Sequence, residues 1–114
     1  RVLEQLYGRE QARTVRTVSV DEAQRLVADS FGLSTDELLS PSRAARVSWP
    51  RQLAMFLARE ETGQSLPAIG SAFGGRDHTT VLHACRRAAE RLDSDPSAAQ
   101  LAADLRERLT ASDR

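Results

Sequence analysis

The sequence has few of the residues that mark several common classes of protein. Of its 114 residues, one is a cysteine (Cys85), 4% are aromatic and none is a lysine. We expect Cys85 to pack in the core of a protein kept in a reducing compartment, because a single cysteine supports no disulfide framework. No hydrophobic run approaches the roughly 18 residues of a membrane-spanning helix, and no signal-peptide pattern is present. Abundant alanine and leucine predict a small all-α domain with a core of packed helices.

Metal-binding and catalytic sites are not expected. His78 and His83 are five residues apart, so on a helix they would point to different sides and could not share a metal ion. Asp77 and His78 are adjacent, but no nucleophile is placed beside them by spacing. The chain also contains no Gly-x-x-x-x-Gly-Lys-[Ser/Thr] phosphate loop. We therefore expect no enzyme activity and no cofactor for these residues.

The formal net charge is zero, but the charges are unevenly distributed. Residues 38–91 contain eight arginines and four acidic residues, which sum to +4, whereas residues 18–37 contain one arginine and five acidic residues, which sum to −4. The first 17 residues sum to +2 and the last 23 to −2. Every basic residue is an arginine, whose forked guanidinium suits contacts to phosphate and guanine. The middle of the chain is therefore the candidate surface for nucleic acid.

Residues 65–83 have the pattern of two helices joined by a tight glycine turn. Ser65 suits an N-cap, and Pro67 falls in the first turn, where its missing N–H costs nothing. Gly74 and Gly75 suit the left-handed conformation that ends a helix, and Asp77 can cap the next one. Apolar stripes at helical spacing are predicted at Leu66, Ile69 and Phe73, and at Val81, Cys85, Ala88 and Leu92. This pattern is typical of a helix-turn-helix, whose second helix can enter a DNA major groove.

Four further helices are predicted around this motif. Ser19 caps the first, over residues 20–30, and Ser34 or Thr35 starts a brief second helix through residue 39. After a loop of residues 40–47, Ser48 is expected to cap a long helix that has Pro50 in its first turn and ends at residue 62. The last helix begins at residues 95–96 and runs to about residue 110. We expect residues 1–17 to be a connecting helix and linker, and residues 18–114 to be the domain.

A specific polar string lies in the turn of this motif. Residues 74–81 read Gly-Gly-Arg-Asp-His-Thr-Thr-Val, and they follow Ser-Leu-Pro at 65–67 and Ile-Gly at 69–70. With these motifs, residues 18–109 resemble the C-terminal DNA-binding domain of DnaA, the bacterial replication initiator, or of a close DnaA-like paralogue. The resemblance implies a compact all-α bundle of about six helices with a Trp-repressor-like helix-turn-helix. It also implies binding to double-stranded DNA at the DnaA boxes of a replication origin.

The resemblance further assigns roles to individual residues. Arg43 matches a family arginine that enters the minor groove, where arginine responds to the potential of a narrow A·T-rich groove. Asp77, His78 and Thr79 match the family's major-groove residues, and each can contact a base edge. For Arg43 a solvated loop charge is the alternative, and Asp77 can also act as a helix cap. Contacts to phosphate, which hold the register without reading sequence, are implied for Arg51, Gln52, Arg59, Ser65, Arg76 and Thr80.

The chain departs from the family pattern at two places. In the loop before the long helix, the family usually has a cluster of basic residues, and this chain has Pro41, Ser42, Ala45 and Trp49 at positions where several of those charges are common. Each lost phosphate contact lowers affinity and its salt dependence. Glu61 falls where the family usually has leucine, and a buried carboxylate there requires a partner.

Several alternatives and partners remain open at this point. The domain can belong to an initiator, to a transcription regulator or paralogue that uses the same helices, or to a protein-interaction module. The resemblance implies a cytoplasmic, nucleoid-associated protein whose ATPase, with its ATP cofactor, lies upstream. It also implies contact between the N-terminal connecting helix and acidic phospholipid, for which packing on the domain is the alternative. Other initiator regulators are further expected partners, and we expect the domain itself to be monomeric.

Overall fold

The computed structural model describes residues 18–111, and these residues form six α-helices. The helices are α1 (Val20–Ser30), α2 (Thr35–Leu39), α3 (Ala45–Thr62), α4 (Leu66–Ala72), α5 (His78–Ser94) and α6 (Pro96–Ala111). The predicted all-α class and the number of helices are confirmed. The connecting segment predicted over residues 1–17 lies outside the described residues, so the proposed division of the chain stays a prediction.

The first two helices begin with reciprocal side-chain caps. Ser19 Oγ accepts from the Glu22 N–H at 3.1 Å, and Glu22 Oε1 accepts from the Ser19 N–H at 2.9 Å. Ser34 and Glu37 make the same pair of bonds, both at 3.1 Å. These capping boxes satisfy N–H groups that have no partner within the helix. Because the caps are local in sequence, both helices begin where the sequence predicts.

The start of α3 was predicted wrongly. The helix begins at Ala45, not at Ser48, and its N-cap residue Ala44 offers no side-chain hydrogen bond. Pro50 therefore lies in the second turn, where it has no N–H to donate. The earlier start adds Ala45, Arg46 and Val47 to the helix, and of these Val47 is buried. Burial of Val47 favours the extra turn, although Ala44 supplies no side-chain cap.

The core lies where α3 crosses the other helices. α3 packs against every other helix, and most extensively against α5. Its buried apolar residues meet those of α1, α4, α5 and α6, and the largest fully enclosed side chains are Phe73, Leu38, Leu53, Met55, Leu57, Ile69, Leu105, Val27, Val47, Val81 and Pro50. Cys85 is also buried, as predicted, and burial raises the pKa of its thiol. The thiol is therefore a neutral packing group at ordinary pH.

One buried polar side chain joins α1 to the helix-turn-helix. Gln24 is 5% exposed, and its Nε2 donates to the carbonyl oxygen of Ala72 at 2.9 Å. Ala72 is the last residue of α4, so this carbonyl belongs to a helix end that lacks an intrahelical donor. The bond satisfies both groups inside the protein.

Glu61, the acidic residue at a position where an apolar one was expected, has a partner. Its side chain is 16% exposed, and its Oε2 lies 2.6 Å from Nε of Arg106 on α6. The Arg106 guanidinium also lies over the ring of Phe56, 5.9 Å from its centroid. The carboxylate is thus accommodated by an ion pair between α3 and α6, and the fold is unaffected.

Candidate nucleic-acid interface

The turn of the helix-turn-helix is fixed by glycines and by close backbone contact. Gly74 and Gly75 have φ of 80° and 77°, the left-handed conformation that the sequence predicts. The chain then returns so that the Arg76 N–H donates to the Gly70 carbonyl at 2.8 Å. A Cβ atom at Gly70 would lie 2.0 Å from the Arg76 carbonyl oxygen, which no real contact allows. The turn therefore packs directly on α4, and this sets the angle at which α5 leaves it.

The N-terminus of α5 presents four exposed polar side chains. Asp77 is the N-cap, and its Oδ2 accepts from the Thr79 N–H at 3.1 Å. Its Oδ1 lies 3.5 Å from Nδ1 of His78, and the two side chains are 64% and 60% exposed. Thr79 and Thr80 are exposed as well. Hydrogen-bonding groups are thus gathered at a helix end that faces solvent.

Arg43 lies in the short loop of residues 40–44 between α2 and α3, and it is exposed. The loop is held by serine side chains: Ser40 Oγ accepts from the Ser42 N–H at 3.4 Å, and Ser42 Oγ accepts from the Ala44 N–H at 3.2 Å. The loop backbone around Arg43 is therefore ordered by local hydrogen bonds, while the guanidinium remains in solvent.

A groove of about 260 Å³ runs between α3 and α5. Four residues of the predicted phosphate-contacting set line it, namely Arg51, Gln52, Arg76 and Thr80. The other lining residues are Ser48, Met55, His83, Ala84 and Arg87. Arginine, amide and hydroxyl donors thus surround one concave surface with an apolar floor. Such a surface fits the sugar-phosphate backbone of a nucleic acid, to which such donors commonly bind.

Comparison with known proteins gives a consistent answer. Residues 20–88 match the family model described as the bacterial dnaA protein helix-turn-helix. The chain is 53% identical over 81 residues to the chromosomal replication initiator protein DnaA of Laribacter hongkongensis, and 52% identical to that of Acinetobacter baumannii strain AYE. Each alignment covers 71% of this chain and 17% of the relative.

The chain belongs to the bacterial DnaA helix-turn-helix family.

The family match extends from α1 to Ala88 in α5 and includes every residue predicted to contact DNA. The resemblance drawn from the polar string at residues 74–81 is thereby confirmed. The 81 aligned residues span about a sixth of the length of the DnaA relative from Laribacter hongkongensis. The alignment therefore bears on one domain of those proteins.

Two of the predicted phosphate-contacting arginines of this DnaA domain have hydrogen bonds within the protein. Arg51 is 8% exposed and donates to the carbonyl oxygens of Leu38, Ser42 and Ser40, at 2.8, 2.9 and 2.6 Å. Arg76 donates to the carbonyl oxygens of Leu39 and Ser40, at 3.1 and 2.7 Å, and also to that of Phe73. Sequence analysis did not predict these bonds. Phosphate contacts by the two side chains stay predictions, and they would use the donors that remain.

Arg59 and Ser65 lie apart from the groove of the DnaA domain. Arg59 is exposed in the last turn of α3. Burial raises the pKa of the Cys85 thiol, and the nearby positive charge of Arg59 offsets part of that rise. Ser65 is the N-cap of α4, and its Oγ accepts from the Ala68 N–H at 3.2 Å. Both remain exposed, so DNA contacts by them stay predictions.

Three groove residues were not assigned a contact from the sequence. His83 and Arg87 follow Thr80 at spacings of three and seven residues, so they continue its face of α5 along the groove. Ser48 lines the groove from within α3, whereas the sequence predicted it as the N-cap of that helix. The helical spacing could have identified the first two, whereas the position of Ser48 depended on packing.

Trp49, one of the residues that the resemblance sets apart from the family pattern, is half-buried in α3. Arg91 of α5 covers its ring, and Arg91 Nε lies 3.9 Å from Oδ2 of Asp95. The ring thus binds an arginine of the same chain.

None of the helices in residues 18–111, the part of the chain that the structure describes, has the length and apolar character needed to cross a membrane. Among the same residues, no three histidine, cysteine or acidic side chains come together in a group that could hold a metal ion.

Proposed function

We propose that this domain binds double-stranded DNA at the short asymmetric DnaA boxes of a replication origin, as the DNA-binding domain of an initiator. The observation that supports this most directly is the exposed N-terminus of α5, where Asp77, His78 and Thr79 stand beside the groove lined by four predicted phosphate contacts. A helix-turn-helix places this end of its second helix against base edges. The names of the relatives, chromosomal replication initiator protein DnaA, indicate the biological setting.

In this proposal the major groove is read by the start of α5. His78 donates to a base acceptor, and the Thr79 methyl packs on a thymine methyl. Asp77 Oδ2 accepts from the Thr79 N–H, and its Oδ1, which lies 3.5 Å from His78 Nδ1, has a further lone pair that can accept from a cytosine amino group. The capping hydrogen bond does not prevent base contact by Asp77, because it holds the carboxylate in place and uses only one of its oxygens.

The minor groove is read by Arg43, and phosphates are bound by the side chains along α3 and α5. An exposed arginine on a short ordered loop can enter a narrow A·T-rich groove, where the negative potential is strongest. Gln52, Thr80 and Arg59 supply phosphate contacts that fix the register. Arg87 and His83 extend this set along the groove.

A fluorescence-anisotropy titration tests the proposal. Labelled box duplex and scrambled duplex of equal length are titrated with the 114-residue chain at two salt concentrations. We expect tighter binding to the box, with both affinities falling as salt rises because bound phosphates release counterions. Equal affinity for the two duplexes would contradict sequence-specific binding. Absence of any salt dependence would instead favour the protein-interaction module.

The initiator and the transcription-regulator alternatives differ in the rest of the protein. The chain matches 17% of the length of the DnaA relatives, so their other activities are not represented in the alignment. We expect ATP binding to depend on a segment upstream of these residues. Reading the coding sequence upstream of Arg1 tests this, because a regulator without an ATPase would have no phosphate loop there. Binding to acidic phospholipid by residues 1–17 and to other initiator regulators, and a monomeric state, stay predictions.

A further inference from the structure

Arg51 and Arg76 meet at one acceptor. The Nη2 atoms of both guanidinium groups donate to the carbonyl oxygen of Ser40, at 2.6 and 2.7 Å. Arg51 comes from α3, and Arg76 comes from the turn that precedes α5. Two elements distant in sequence are therefore joined through a single oxygen of the loop that contains Arg43.

The acceptors form a group at the C-terminus of α2. Leu38 and Leu39 are the last two residues of that helix, so their carbonyls have no intrahelical donor. The last turn of α2 contains no basic residue of its own. Cations are favourable at this end of a helix dipole, and here they come from α3 and from the turn.

Bringing two guanidinium groups together has a cost. Burial lowers the pKa of Arg51, and the nearby charge of Arg76 lowers that pKa further. Burial lowers the pKa of Arg76 as well. The carbonyl dipoles oppose this cost, because five of them accept hydrogen bonds from the two side chains: those of Leu38, Leu39, Ser40, Ser42 and Phe73. The two guanidinium groups are thus held side by side by acceptors from α2, from the loop and from the end of α4.

We propose that Arg51 and Arg76 are positioning residues that together fix Arg43 relative to the start of α5. Arg51 holds the loop segment that leads into Arg43, through the carbonyl oxygens of Ser40 and of Ser42, the residue directly before Arg43. Arg76, the residue directly before Asp77, donates to the Ser40 carbonyl and so joins the same loop to the start of α5. The minor-groove contact and the major-groove contacts are thereby kept at one spacing, so that both fall on a single DNA site. This inference rests on the proposed function.

Lysine substitutions provide the test, because lysine keeps the positive charge but cannot span several carbonyls. The first measurement uses no DNA. Backbone N–H order parameters of Ser42, Arg43 and Ala44 are expected near the rigid value of about 0.85 in the wild type and below about 0.6 in Arg51→Lys. Arg86→Lys, which changes an exposed arginine of α5, is the matched control and should leave them unchanged. Unchanged order parameters in Arg51→Lys would overturn the proposal.

The second measurement uses box duplexes that carry base changes at the A·T-rich end or at the major-groove end. Arg51→Lys should reduce discrimination at the A·T-rich end to within about twofold of the value for Arg43→Ala. The double variant should show no further loss of this discrimination, because both changes act through the same contact. Discrimination at the major-groove end should stay within about twofold of the wild type. A uniform affinity loss that adds to that of Arg43→Ala would show a phosphate contact and overturn the positioning role.

Two further outcomes are separable. If Arg51→Lys does not fold, as shown by loss of its helical circular dichroism, Arg76→Lys provides the same test, because its side chain is only half-buried. If Arg43→Ala itself keeps the A·T preference, the proposed minor-groove role fails, and with it the link between these arginines and recognition. The order parameters would then still decide whether the two arginines hold the loop.

Discussion

The guanidinium carbon of Arg91 lies 4.1 Å from the centroid of the Trp49 ring. This contact joins α5 to α3 beside the groove, and Trp49 is the only tryptophan in the chain. Its fluorescence therefore reports on this contact without labelling.

Arg91→Ala should shift the emission of Trp49 to longer wavelength, because the ring loses its cover and becomes more hydrated. The expected loss in the free energy of unfolding is about 0.5–1 kcal/mol, the value for a partly exposed cation–π pair. Steady-state emission and urea unfolding measure the two effects. Arg86→Ala serves as the control, since Arg86 is an exposed arginine on the same helix. An unchanged spectrum in Arg91→Ala would show that the stacking does not persist in solution.

Thr79→Ala should cost about 1–3 kcal/mol in binding to a box duplex and little on random DNA, because it removes a base contact. Thr80→Ala is the matched control, since this neighbouring threonine is expected to contact phosphate. It should weaken binding to both duplexes alike. Equal losses on the two duplexes for Thr79→Ala would indicate that Thr79 only positions the helix.

Arg59→Ala should weaken binding to all sequences similarly and reduce the salt slope by about 1, because one phosphate contact is lost. Arg25→Ala is the control on α1, where the arginine pairs with Asp21 at 2.8 Å. Its slope should equal that of the wild type. Titrations at four or more salt concentrations give the slopes, and an unchanged slope would remove Arg59 from the phosphate contacts.

Arg43→Ala should abolish most discrimination at the A·T-rich end of a box while the major-groove half remains readable. The resemblance implies that this loop has fewer basic residues than the family pattern, so recognition should depend more on the one arginine that is expected to enter the minor groove. Ser42→Arg should raise affinity for every sequence alike, since a phosphate contact reads no base. Binding-site selection on the wild type and both variants measures these effects. A wild-type preference retained by Arg43→Ala would show a solvated loop charge.

Gly70→Ala should destabilise the fold by about 3 kcal/mol, because the added Cβ would lie 2.0 Å from the Arg76 carbonyl oxygen and the turn must move. Gly63→Ala is the comparison: Gly63 has φ of 74° and no atom within 4 Å of the added Cβ. Its strain should cost about 1–2 kcal/mol. Thermal unfolding gives both values. Box affinity should fall only for Gly70→Ala, and equal effects of the two changes would refute the steric argument.

Local signals explain how much of this structure the sequence predicts. The caps at Ser19, Ser34, Ser65 and Asp77 act on N–H groups two or three residues away, so the starts of α1, α2, α4 and α5 follow from short patterns. The start of α3 is favoured by burial of Val47 in the core, and local preference predicted it three residues too late.

The candidate site shows the same division. The exposed residues at the start of α5 follow from a helix cap and helical spacing. The acceptors of Arg51 and Arg76 lie up to 13 and 37 residues away, so no pattern near either arginine reveals them. The sequence identifies which side chains are basic, whereas the tertiary fold decides which of them are already bonded within the protein.

The bond from Gln24 to the Ala72 carbonyl bears on how this surface can change over evolution. An apolar contact of the same area would tolerate sliding of α4 along α1, whereas a hydrogen bond between a buried amide and a helix end admits one alignment. The alignment of α4 on α1 is thus held by a side chain of a helix that supplies none of the proposed DNA contacts, and the turn packed on Gly70 carries that alignment to α5. Base preference can therefore change through substitutions at residues 77–79 without altering this bond. Gln24→Leu would remove the bond and leave residues 77–79 intact.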